Sequence, residues 1–152
     1  MSSERSPTLA QGLGRALRAL MQNLHTAMPG EVVAYDAGTQ TADVRPLLRE
    51  RRTNELGAVE QLELPVLVRV PVVFPGGGGF RLTLPLAPGD GVLVVFAEGS
   101  LDRWQPLGGV QDTDGRRHHL ADAVAFAGLH ADPEPWAGAS SSSATLGSDT
   151  GP

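Results

Sequence analysis

The eleven residues "DTDGRRHHLAD" hold the densest set of groups able to do chemistry: Asp112, Asp114, His118, His119 and Asp122. Carboxylates and imidazoles are ligands for zinc and iron, but chelation needs them on one side of the backbone. Adjacent histidines in an extended segment point to opposite sides, so His118 and His119 are poorly placed to share an ion. We read the stretch as a solvated loop and expect no metal. One variant keeps some chemical interest: in a threefold assembly, a single histidine from each chain near the axis would supply three imidazoles.

"VFPGGGGF", Val73 to Phe80, offers a second possibility, a phosphate cradle. Such a cradle needs its glycines to lead into a helix whose free amides face the anion, followed by Lys and Ser or Thr. Here they lead into the alternating stretch "FRLTLPL", and the chain contains no lysine. The glycines are therefore expected to be a hairpin tip. No G-x-S-x-G elbow presents a nucleophile, and the serines cluster in a tail with nothing rigid to hold them. Cysteine is absent, which excludes disulfides and thiolate chemistry. No enzyme signature survives, and neither catalysis nor a cofactor is expected.

The elements that would carry any function follow from hydrophobic period. Leu9, Leu13, Ala16, Leu17, Leu20 and Leu24 recur at helical spacing, with Arg15, Arg18 and Gln22 on the other face. Ser6 is the expected cap, Pro7 the first turn, and Pro29 and Gly30 the stop. With only two cations, this helix is expected to dock on protein rather than lie on a membrane.

From Glu31 the period becomes two. Ala42, Val44, Pro46 and Leu48 share one face of a strand that follows a turn at Gly38. "RERRTNELGAVEQ" has no sustained period and reads as a loop. Next, Val66, Val68, Val70, Val72 and Phe74 share a face, then Phe80, Leu82, Leu84 and Leu86. After a turn from Pro88 to Gly91, the strand "VLVVFA" is apolar on both sides: Val92, Val94 and Phe96 against Leu93, Val95 and Ala97. A small barrel has one inside, so the second face needs a cover, and self-association is expected. "SLDRWQPLGGV" reads as a helical turn capped by Ser100 and a short closing strand.

The resulting fold class is mainly β: a five- or six-stranded barrel preceded by one amphipathic helix and followed by an extended tail. Residues 1–29 form the helical segment, 30–111 the barrel, 112–131 a connection, and 132–152 a tail rich in Pro, Gly and Ser. The chain has 152 residues and a net charge of -5, with no run approaching the roughly 18 apolar residues of a membrane helix. A soluble protein without a secretion signal is expected. Small barrels also bind single-stranded nucleic acid by stacking aromatics beside a basic groove. That is the rival function; its only basic cluster is Arg49, Arg51 and Arg52, its strand aromatics Phe74, Phe80 and Phe96 fall in core registers, and only Tyr35 is out of phase.

The order of features carries a resemblance. "LHTAMPGEVVAYDAGTQTADVRPLLR", then "LPVLVRVPVVFPGGGGFRLTLPLAPGDGVLVVFAEGSLDRW", then "GGVQDTDGRRHHLADAVAFAGL" resembles the amino-terminal domain of the central spike, or membrane-piercing, proteins of contractile phage tails. The resemblance implies an OB-type barrel used for assembly without catalysis. It implies three copies around the tail axis, joined to a baseplate hub above and a needle below that contacts the host outer membrane only mechanically. It thus implies a homotrimer in a virion or tail-like particle, with Leu13, Leu17, Leu20, Leu93 and Val95 as expected trimer or hub contacts. Few residues follow Leu129, and no His-x-His pair lies near the end, so a separate tip protein or an adaptor role between hub and needle is expected.

Overall fold

The computed structural model describes residues 8–54, 56–133 and 135–148. Helix α1, Leu9–Gln22, begins with a reciprocal cap: the Thr8 hydroxyl accepts from Gln11 N and the Gln11 side chain accepts from Thr8 N. The expected cap at Ser6 and Pro7 lies outside the described residues. The helix stops at Asn23, six residues before Pro29, which corrects the expected boundary. Pro29 and Gly30 instead lie inside strand β1, Ala27–Asp36. A proline disfavours the helical region for the residue before it, so Met28 is already extended.

β1 turns at Asp36, whose Oδ1 accepts from Gly38 N at 2.8 Å. The Thr39 hydroxyl first, and the Gly38 N–H second, hold the Asp36 carboxyl below its ordinary range. The chain returns as β2, Thr41–Pro46, which buries Ala42, Val44 and Pro46 as the alternation implies, whereas Leu48, expected on the same face, lies past the end of the strand and is exposed. β5, Leu67–Val73, then β8, Gly91–Phe96, and β9, Ala123–Ala127, complete a closed barrel joined in the order β1-β2-β5-β9-β8. β5 and β9 run parallel, and the other pairs run antiparallel. Counted along the chain, the barrel strands join first, second, third, fifth and fourth, which is the OB arrangement. Val32, Val44, Val92, Val94, Phe96 and Ala125 fill the interior.

Several expectations are corrected. The barrel closes on β9, drawn from the segment expected to be a connection, and no strand forms at 108–111. "RERRTNELGAVEQ" is not a plain loop: β3, Arg49–Thr53, pairs with β4, Val59–Glu63, as a hairpin outside the barrel. Its turn is organised by Asn54 Oδ1, which accepts from Leu56 N and Ala58 N.

In β5 the inward face is Leu67, Val70 and Val72, while Val66 and Val68 are exposed. Ala42 pairs with Val70 and Val44 with Leu67, so Val68 and Arg69 together oppose Asp43. This bulge puts Arg69 at φ 54°, held by its N–H to Asp43 Oδ1 at 2.9 Å, and it shifts the alternation by one.

The stretch Phe80 to Leu86 is not a barrel strand either. Only β7, Phe80–Arg81, pairs, and its partner is β6, Gly76–Gly77. Phe80 is 83% exposed. Gly78 and Gly79 both take positive φ, the two-residue tip of a primed hairpin turn.

One helical turn, α2 at Trp104–Leu107, interrupts the connection between β8 and β9. Arg103, not Ser100, stands at its N-cap position. The described tail carries no helix or strand, and the Trp136 ring lies against Gly138 and Gly147. Among the described residues no helix is long and apolar enough to cross a membrane.

His25 links α1 to the barrel, its ring tilted on Phe96 with centroids 5.5 Å apart. Burial lowers its pKa below 6.5; Glu50 opposes the shift and His119 adds to it. The unfolded chain therefore binds this proton more readily than the folded one. Stability is full above about pH 6.5 and falls as pH drops through that value toward the lower folded pKa. His25→Phe keeps a ring on Phe96 without a titrating group. Its melting temperature should fall less between pH 8 and pH 5 than the parent's; equal slopes for the two proteins would contradict the assignment.

Candidate interaction surface

Two apolar surfaces stand out among the described residues. The first is α1, in which no residue is buried. Leu13, Leu17 and Leu20 lie on one side of it with Leu9, Met21 and Leu24 nearby, all exposed. Arg18 bonds back to Gly14 O, and Asn23 Nδ2 to Ala19 O, so the polar side chains serve the helix itself. The helix is not docked on its own barrel.

The second surface is a belt on the outside of the barrel. With Val92, Val94 and Phe96 directed inward, Leu93 and Val95 project outward. Leu93 faces Pro29 on β1 and Phe126 on β9, and Phe126 in turn faces Val73 on β5. These four form a row across four strands, with Leu93 37%, Phe126 42% and Val73 40% exposed. Val95, between Ala27 and Val124, continues it in the next row and is half-buried.

Leu93 and Val95 were identifiable because their strand is apolar on both faces. Phe126 and Val73 were missed. The signal for Phe126 was "DAVAFAGL", where small Ala123 and Ala125 point inward and Val124 and Phe126 outward, a period of two written with small residues.

The acidic and histidine-bearing loop is organised around an arginine. Asp122, 1% exposed, accepts through Oδ1 from Leu101 N at 2.9 Å and from Arg116 Nη2 at 3.4 Å. Arg116 also bonds the Ser100 hydroxyl and the Asp102 carboxylate, and its Nε lies 3.1 Å from Asp114 Oδ2. His118 Nδ1 lies 3.3 Å from Phe96 O, while His119 Nδ1 accepts from Ala121 N. Among the described residues no three metal-ligating side chains gather. The guanidinium occupies the centre of the loop, where it ties together residues 100–122.

The basic cluster lies on the β3–β4 hairpin, where Arg49 pairs with Glu63 at 3.0 Å and Arg52 with Glu50 at 3.4 Å. Tyr35 meets Phe74 edge-on at 6.4 Å, and both pack against the core.

No curated protein matches the chain. The model of one family, described as the phage protein Gp138 N-terminal domain, matches residues 28–128. That span starts in β1 and ends just past β9, taking in the whole belt and the Arg116 loop. With the barrel matched almost end to end and most of the chain included, the protein belongs to the phage protein Gp138 N-terminal domain family.

Proposed function

We propose that the chain is a central spike, or an adaptor between hub and spike, in the baseplate of a contractile tail, working mechanically as a homotrimer. Membership of a phage protein family supports a structural role in a phage particle. The finer reading rests on one observation, the apolar surface that a single chain leaves bare on α1 and along Pro29, Leu93, Phe126 and Val73.

Magnitudes favour joint use of the two surfaces. Full burial of a large aliphatic or aromatic side chain stabilises by about 1.5–3 kcal/mol, so belt residues already more than half covered recover about 1 kcal/mol each. Association costs at least about 4 kcal/mol in lost freedom. The belt alone does no more than offset the lowest value of that cost, and the exposed leucines of α1 supply the margin. In this arrangement the barrels stack around the tail axis, α1 and the belt meet sister copies and the hub, and the tail leads toward the tip and a separate tip protein. Thrust from sheath contraction then passes along the axis to the host outer membrane, with no catalytic step.

Light scattering of the purified full chain tests this reading. The expected result is a particle of three times the 15.9 kDa chain mass. A stable monomer across micromolar concentrations overturns it.

A further inference from the structure

α1 is more specific than a greasy helix in search of any cover. Ala10, Leu13, Leu17, Leu20 and Leu24 are separated by three, four, three and four residues, the spacing of a and d positions in a heptad, with Leu24 just past the Asn23 cap. We propose that α1 is the strand of a short parallel coiled coil formed with other copies of the same helix. The proposal rests on the homotrimer reading above and names what the helix does within it.

Charge placement argues for identical copies as the occupant. In the same register the flanking g positions are Leu9, Ala16 and Asn23, and the e positions are Gly14 and Met21, none of them charged. Arg15 and Arg18 fall at f and b, on the far side. Copies can therefore meet along this seam without like charges opposing one another, although every cation on the helix is an arginine. A two-stranded coil leaves e and g in water and usually fills them with Glu and Lys. Leu9, Ala16 and Met21 widen the apolar stripe beyond what one neighbour covers, as a bundle of three helices requires.

The arrangement also accounts for a helix that stands alone in its own chain. Fourteen residues with Gly12 and Gly14 inside are marginal as an isolated helix. Two heptads are short for a free coiled coil as well. Only residues 23–26 separate α1 from β1, so barrels held side by side bring three helix ends together at high effective concentration. The coil is then a clamp closed by the barrels.

The absence of cysteine makes a direct test available, because any introduced thiol is unique. Leu17→Cys places it at an a position, and Arg18→Cys places it one residue away at b. Both positions are exposed in the single chain, so neither change threatens folding. Under mild oxidation of the full-length protein, most Leu17→Cys chains should shift to dimer mobility on a non-reducing gel, while Arg18→Cys chains remain monomeric. Light scattering of the same samples separates the two readings. Three copies with no Leu17→Cys cross-link, or with equal cross-linking at both positions, overturn the coiled coil alone. A monomer overturns both it and the homotrimer.

Discussion

Gly30→Val should lower the melting temperature by on the order of 10–20 °C, corresponding to a loss of about 2–3 kcal/mol. Gly30 sits in β1 between β2 and β8, paired with Pro46 on one side and Val92 on the other. A Cβ there would lie 2.6 Å from a methyl of Val44, 2.9 Å from one of Val94 and 3.3 Å from one of Val92. Carbon atoms pack best at about 3.5–4.0 Å, so even alanine must push the interior apart, and valine adds two methyl groups to the same point. The strand cannot retreat because it is hydrogen-bonded along both edges. Gly115→Ala is the matched control, since a Cβ there meets nothing within 4 Å, and it should change stability by less than about 0.5 kcal/mol. Combining Gly30→Ala with Val44→Ala should recover part of the loss of Gly30→Ala alone, because one change removes the volume the other adds. A Gly30→Val protein that melts with the parent would show that this position does not face the interior.

The barrel's legibility in the sequence depended on whether alternation met a partner. Ala42, Val44 and Pro46, and then Val92, Val94 and Phe96, were readable because neither strand itself carries an extra, bulged residue and one face of each is sealed. Val66 and Val68 were misplaced because a bulge with Arg69 in the left-handed region is set by tertiary pairing with Asp43, which no residue type announces. β9 was missed for two reasons. Its inward residues are alanines, which fill the space beside Phe96 and Val94 but give little hydrophobic contrast, and its parallel pairing with β5 joins residues far apart in the chain. β3 and β4 were hidden because both faces are wet, and their register is carried by pairs such as Arg49 with Glu63. The converse error was Leu82 to Leu86, where alternation exists without a ladder. Leu86 packs against the core, and Leu82 and Leu84 line a groove shared with Trp136.

Of the exposed apolar surface, α1 and the Leu93–Val95 face were legible as apolar residues in excess of what one interior can hold. Phe126 and Val73 were not, since they join the belt only through strand neighbours. The Arg116 cluster was legible as composition and opaque as structure. A run of aspartates and histidines suggests ligands until the fold places a guanidinium among the carboxylates.

That guanidinium carries the second large effect. Arg116→Met should cost about 2–3 kcal/mol, because it strands a carboxylate that is 1% exposed. Asp122 Oδ1 would keep only the Leu101 N–H, and among the described residues Oδ2 accepts no hydrogen bond even with Arg116 present. Removing one partner of a fully buried pair costs about 3–5 kcal/mol, and the lower figure here reflects an Arg116 side chain that is 29% exposed. Its bonds to Asp102 and Asp114, both open to water, add little. The double variant Arg116→Met with Asp122→Asn separates a stranded charge from lost packing. The amide oxygen still accepts from Leu101 N and carries no charge, so the double variant should be more stable than Arg116→Met alone. Hydrogen exchange should quicken first in residues 98–122 of the single variant, while the β1–β2 ladder stays protected. This loop delivers β9, and β9 delivers Phe126 to the belt, so in the proposed homotrimer loosening the loop should weaken association before the barrel unfolds. A double variant no more stable than the single one would mean that Arg116 acts through its stem and not its charge, and the buried ion pair would then have no part in holding the belt together.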